Sequence, residues 1–115
     1  MTVKRGAVVR VDWPFSDRTG SKVRPAVVVQ DDAYNSLIAD TVLVLISRTL
    51  RATGTTEVTI DPTVELQTGL RYKSVASCTN LLTIDQGLIV QMLGHLSPAT
   101  MQKIDDCLKA ALGLR

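Results

Sequence analysis

The chain has 115 residues, 45% of them hydrophobic and 21% charged, with a formal net charge of +2. That length holds one core, so a single domain over 1–115 is expected. No apolar run approaches the roughly 20 residues of a membrane-spanning helix, and Lys4-Arg5 leads into Gly6, Arg10 and Asp12 rather than an apolar signal core, so a cytoplasmic protein with no membrane partner is expected.

Aromatic residues are few: Trp13, Phe15, Tyr34 and Tyr72. A core built from Val, Leu and Ile suits a β-sheet, where branched side chains pack on a pleated surface. Cys78 and Cys107 stand apart in apolar surroundings, without a second Cys or His nearby in sequence, and read as buried thiols. Charge is unevenly spread. Six basic residues (Lys4, Arg5, Arg10, Arg18, Lys22, Arg24) face only Asp12 and Asp17 before Gln30, and Arg48 and Arg51 follow the next apolar strand. This asymmetry fits a polyanionic partner, although a solvated basic face would look the same.

Taken in order, 6–12 alternates apolar and polar residues as a first strand, which Trp13-Pro14-Phe15 ends. Residues 16–22 (Ser-Asp-Arg-Thr-Gly-Ser-Lys) read as a mobile, polar loop. Ala26-Val27-Val28-Val29 is a continuous apolar run, a strand buried on both faces, with Arg24-Pro25 before it. Proline lacks an amide donor and marks the start of that strand; it also holds Arg24 extended. Asp32 is placed to cap a helical turn through Tyr34-Asn35. Residues 41–46 form a second central strand and 57–60 a shorter one. Residues 61–69 connect onward, with Pro62 opening a helical turn. Strands are expected at 74–78, extended through 79–83, and at 87–95, with a bend at Gly94. Ser97 caps a helix with Pro98 at its first position, Met101, Ile104 and Leu108 as its apolar stripe, and Gly113 as its stop. The fold class is mainly β, a strongly bent antiparallel sheet or half-open barrel with one C-terminal helix.

No Gly-rich phosphate loop, HExxH, GxSxG or zinc spacing occurs, so neither cofactor nor metal is expected. Asp105 and Asp106 fall on consecutive helix positions and read as a solvated face. The single histidine, His95, reads as structural. The two central strands are joined by a short connection and should pair antiparallel, which sets the start of one (Arg24) beside the end of the next (Ser47). Arg48 and Thr49 lie just beyond, and the basic loop can fold over the same end. A guanidinium fork, a hydroxyl and nearby cations make a phosphate site. Spacing alone leaves two plainer readings open: Arg24 as a solvated strand-end residue, and Ser47 and Thr49 as turn hydrogen-bonders.

Those residues carry a resemblance. Lys4-Arg5-Gly6-x-Val8-Val9-x-Val11-Asp12 and the later Val23-Arg24-Pro25-Ala26-Val27-Val28-Val29-Gln30-Asp31 are similar to the opening of the MazF/PemK-type toxins of toxin–antitoxin pairs. The strand closing on Ile46-Ser47, the segment from Ser74 to Thr83-Ile84-Asp85 and the ending Leu93-Gly94-His95-Leu96-Ser97 agree in order and spacing. The resemblance implies a small SH3-like barrel, a homodimer, and a metal-independent endoribonuclease that cleaves single-stranded RNA, inhibited by the acidic C-terminal segment of a cognate antitoxin. It implies catalytic roles for Arg24 and Ser47. It also credits the motif arginine with proton transfer, but a guanidinium pKa above ~12 favours the electrostatic role.

RNA contacts are expected from Arg18, Lys22, Arg48, Thr49, Arg51, Ser77 and Thr79. Some relatives carry Arg and Asp where this chain has Ser77 and Thr79, and a basic residue where it has Leu82, so base specificity should differ. Two other functions stay open: a gyrase-poisoning toxin of the same fold, and a non-catalytic RNA- or antitoxin-binding relative. Such gyrase poisons carry a tryptophan near the end of the last helix, whereas this chain ends Ala-Ala-Leu-Gly-Leu-Arg.

Overall fold

A computed structural model describes residues 2–48 and 54–115. Its six strands are β1 (Ala7–Pro14), β2 (Ser21–Val28), β3 (Asp40–Ser47), β4 (Glu57–Ile60), β5 (Ser74–Asp85) and β6 (Gln91–His95); its helices are α1 (Asp32–Leu37) and α2 (Pro98–Leu112). The strands form one antiparallel sheet in the order β4-β5-β3-β2-β1-β6. The sheet curls without closing, because β4 and β6 stay at its two ends among the described residues. The mainly β, half-open barrel with a C-terminal helix is therefore the architecture found.

Val27 and Val44 point to one face of the sheet, and Ala26, Val28 and Leu43 to the other; all are fully buried. The first face packs against α2 through Met101, Ile104 and Cys107, over β4 and β5. The second gathers Val3, Val9, Val11, Trp13 and Leu43, with Leu82 and Ile84 half-buried at its margin. The Ala26-Val27-Val28 run of β2 is thus buried on both faces, while the strand's first residues stay exposed. Ser97 caps α2 by accepting from the Thr100 N–H at 3.2 Å, Pro98 opens the helix, and Gly113 closes it at φ 70. The cap is worth about 1 kcal/mol, whereas burying one side chain the size of Ile104 is worth about 1.5–3 kcal/mol. Packing, more than capping, holds this helix.

Several boundaries differ from the expectation, each for a local reason. Strand β2 begins at Ser21, so the hairpin loop shrinks to 15–20 and Ser21 and Lys22 become ladder residues opposite Pro14 and Trp13. That loop is a hydrogen-bonded turn: Phe15 N–H donates to Gly20 O, Arg18 N–H to Phe15 O, and Thr19 donates twice to Asp17. The N-cap of α1 is Asp31, which accepts from the Ala33 N–H; Asp32 instead accepts from the Arg5 backbone N–H at 2.6 Å. That bond holds the Asp32 carboxyl below its usual range.

Strand β5 is one 12-residue element whose register against β3 shifts between Val44 and Leu45, leaving Cys78, Thr79 and Asn80 outside the ladder. Residues 86–88 form a 3-10 turn, capped by Asp85, so the last strand starts only at Gln91. Asp105 is not on a solvated face. It is half-buried and paired with Arg5, whose Nε also donates to Val29 O at 2.9 Å, so this pair ties the N-terminal segment to α2.

Candidate active site

The site begins with a missing hydrogen bond. Amides two residues apart along a strand face the same neighbour. The Val29 N–H donates to Val42 O at 2.9 Å, so residues 27 and 25 also face β3. Pro25 has no N–H to give, and Ala26 with Leu45 is the last β2–β3 pair. Beyond that point β3 continues to Ser47 paired only with β5, through Ile46 with Ala76 and Ser47 with Val75. The two strands part there, and a cavity of about 900 Å³ opens between them.

Pro25, Ile46, Leu70 and Leu93 contribute apolar lining, and Arg10, Lys22, Arg24, Arg48 and Arg71 contribute five cations. Ser47, Ser74, Tyr72 and Gln91 add polar groups, and among the described residues no carboxylate or imidazole lines the cavity. Side chains from five strands (β1, β2, β3, β5 and β6) and the 61–73 connector meet there. Uncompensated positive charge at a concave surface focuses the potential and attracts polyanions. Arg24 is half-buried, held in the β1–β2 ladder opposite Val11, so its fork starts from a fixed backbone. Ser47 is half-buried at the end of β3. The Arg48 guanidinium lies over the Tyr72 ring, 4.0 Å from its centroid.

The structure brings together Arg24, Ser47, Lys22 and Arg48. It does not bring Arg18, Ser77 or Thr79 into this cavity. Arg18 sits at the hairpin tip with φ 63, exposed to solvent. Ser77 and Thr79 lie at the register shift of β5, their hydroxyls 3.5 Å apart, where Asn80 Nδ2 donates to Ser77 Oγ at 2.8 Å. Thr49 and Arg51 lie outside the described residues. Leu82, where some relatives carry a basic residue, is half-buried against the second apolar cluster. His95 ends β6, exposed and away from the cavity, with its backbone N–H on Gln67 O.

Sequence reasoning missed Arg10, Arg71, Tyr72 and Gln91. The signal for Arg10 was present: it is an outward residue of the alternating first strand, and pairing puts it opposite Pro25. Arg71 and Tyr72 stand on an aperiodic connector, which no periodicity could place.

Burial pushes the Cys78 thiol up to about 12 and raises that of Cys107 as well. Both thiols are packed in the α2 interface, with Cys78 Sγ against Ile104 O and Cys107 Sγ against Glu57 O. They are packing groups, remote from the cavity.

A curled antiparallel sheet with a C-terminal helix and a cation-lined cleft at a parted strand pair defines a small polyanion-binding β protein. The family model for the PemK-like, MazF-like toxins of type II toxin–antitoxin systems matches residues 4–112, and the chain belongs to that family. It is 31% identical over 118 residues to the endoribonuclease EndoA of Bacillus subtilis strain 168, an alignment covering 99% of this chain and 97% of that one. To the endoribonuclease MazF4 of Mycobacterium tuberculosis H37Rv it is 34% identical over 110 residues, covering 96% and 92%. A solved endoribonuclease in complex with its cognate antitoxin, from a mycobacterial species, superposes with a TM-score of 0.80 at 32% identity, covering 98% of this chain and 97% of that one. A MazE–MazF structure from Deinococcus radiodurans shares the fold, with a TM-score of 0.75 at 17% identity and complete coverage of both chains.

Proposed function

We propose that this chain is the toxin of a type II toxin–antitoxin pair and acts as a metal-independent endoribonuclease on single-stranded RNA, with Arg24 and Ser47 at the reaction centre. The observation that carries this reading is the parted strand pair, with both residues lining one cavity to which the described residues contribute five cations and no carboxylate. Family membership and the endoribonuclease relatives support the reaction type.

Cleavage is attack of the RNA 2′-OH on its own 3′ phosphorus. The 2′-oxygen–phosphorus bond forms and the phosphorus–O5′ bond breaks. One proton leaves the 2′-OH and one is delivered to O5′, giving a 2′,3′-cyclic phosphate and a 5′-OH. The phosphorane between them concentrates charge on its non-bridging oxygens. Arg24 holds two of those oxygens with its fork, and Ser47 donates to one, which stabilises the transition state more than the ground state. With no imidazole or carboxylate in the lining among the described residues, protons pass through solvent water while Arg24 acts electrostatically. Lys22, Arg48 and Arg71 hold flanking phosphates, Arg18, Ser77 and Thr79 contact the RNA from outside the cavity, and Thr49 and Arg51 are further RNA-binding residues.

An acidic C-terminal segment of the antitoxin competes for the same cations. Leu88, Val90 and Met92 leave apolar side chains in water along the β6 end of the sheet, and a second copy has that surface to bury, giving a homodimer. No helix among the described residues is long and apolar enough to cross a membrane. The site of action is the cytoplasm, where the RNA is.

The test is incubation of the purified protein with mixed-sequence RNA in EDTA, followed by analysis of the new termini. Short-motif cleavage with 2′,3′-cyclic phosphate and 5′-OH ends supports the reading. Intact RNA, or ends bearing a 5′ phosphate, overturns it.

A further inference from the structure

We infer that Tyr72 is a base-stacking residue, holding one nucleobase of the bound RNA over the cavity beside the phosphate at Arg24. The inference rests on the endoribonuclease reading and adds to it a contact made to a base rather than to the phosphate backbone.

The argument starts from how the connector is fixed. Two glycines interlock there. A Cβ at Gly69 would lie 2.2 Å from Leu93 O, and one at Gly94 would lie 2.0 Å from Gln67 O. Neither position tolerates a side chain, so the backbone of 67–69 lies directly on β6. The His95 N–H donates to Gln67 O at 3.0 Å across this contact. Thr68 is fully buried, and its hydroxyl accepts from the Leu70 N–H at 3.2 Å. At the far end Ser74 Oγ donates to Tyr72 O at 2.8 Å. The segment bearing Arg71 and Tyr72 is therefore anchored on both sides.

Among the described residues Tyr72 is the one aromatic lining the cavity, and it remains 53% exposed. Arg48 covers part of its π system at 4.0 Å, which fixes both side chains and leaves the rest of the ring to solvent. A planar aromatic at the edge of a cationic cleft is the arrangement that takes single-stranded nucleic acid: the cations track the backbone and the ring stacks an unpaired base. The cation behind the ring adds to that platform. A ring whose only task was to steady Arg48 would act through charge alone, and the two roles separate experimentally.

The experiment begins with wild-type protein and mixed-sequence RNA, to locate a cut site. A short oligonucleotide spanning it, with a 2′-deoxy nucleotide at the scissile position, then serves as an uncleavable probe. A series is made in which each member carries one abasic nucleotide. Affinities of wild type, Tyr72→Phe and Tyr72→Ala are measured across the series and across a range of salt concentrations.

Tyr72→Ala should weaken the intact probe by about 5- to 150-fold. One abasic position should remove that difference. Tyr72→Phe should match wild type within about two-fold, and neither variant should change the salt slope, since no cation is lost. Equal losses on every abasic probe, a salt slope lowered by Tyr72→Ala, or no loss at all would each overturn the stacking role while leaving the endoribonuclease reading intact. A wild type that neither cuts the mixed RNA nor binds it overturns both.

Discussion

Replacing Arg24 with alanine tests the site most directly, because the structure separates its effect on chemistry from its effect on the fold. Arg24 sits where β2 has left β3, half-buried in a lining that already holds Arg10, Lys22, Arg48 and Arg71. No carboxylate in that lining would be orphaned by its loss, and one like charge is removed from a crowded set. The stability change should fall within about ±0.5 kcal/mol, the range for substitutions that break no packing or buried pair. For a domain this size that is a melting shift of roughly 4 °C or less.

The loss of activity should be far larger. An arginine that neutralises a transferring phosphoryl group contributes about 10³–10⁵ in rate, whereas one hydroxyl donor contributes about 10²–10³ at most. Arg24→Ala should therefore bring cleavage to background and relieve growth arrest on expression. Ser47→Ala should cost on the order of 10–1000-fold. Arg24→Lys should recover little, since an ammonium cannot present the paired donors of the fork. The assay is single-turnover cleavage of a defined RNA, with circular dichroism melts run on the same preparations. Wild-type-like cleavage by a folded Arg24→Ala protein would refute the assignment of the site, and an unfolded one would refute the claim that this residue is structurally dispensable.

Three further outcomes follow from particular contacts. Lys22→Ala should lower the salt slope of RNA binding by about one released counterion, whereas Arg18→Ala, at the hairpin tip outside the cavity lining, should have the smaller effect in fluorescence titrations over a salt series. Gly94→Ala would place a methyl 2.0 Å from Gln67 O; it should destabilise the fold by about 1–3 kcal/mol and displace the Arg71–Tyr72 segment, so that a urea melt and RNA affinity fall together. Cys78 and Cys107 should resist alkylation at pH 8 and react freely in urea, as followed by mass spectrometry. Folding favours their neutral thiols, so this stabilisation is complete below the unfolded value near 9.0 and is lost as pH rises towards about 12 for Cys78. Cys78→Ala should accordingly flatten the alkaline limb of a stability–pH curve.

Much of this protein is determined by sequence that acts locally. The apolar runs at 26–29 and 41–46 can only be central strands, and the Ser97, Pro98 and Gly113 signals bound the last helix at the residues found. Antiparallel pairing of neighbouring strands then places Arg24 near Ser47, because strands consecutive in sequence usually pair and the start of one meets the end of the next. Tertiary structure alone decided the rest. Pro25 reads in sequence as a strand start, yet it lies within β2 and acts by ending the pairing with β3, which depends on the neighbour its absent N–H would have faced. Arg5 and Asp105 look like a basic arm and a solvated face, and become one ion pair only when the chain ends meet across 100 residues. Arg71 and Tyr72 reach the cavity because two glycines at 69 and 94 let one backbone lie on another. Such close approach between distant segments has no periodicity and no propensity, so only the packed fold reveals it.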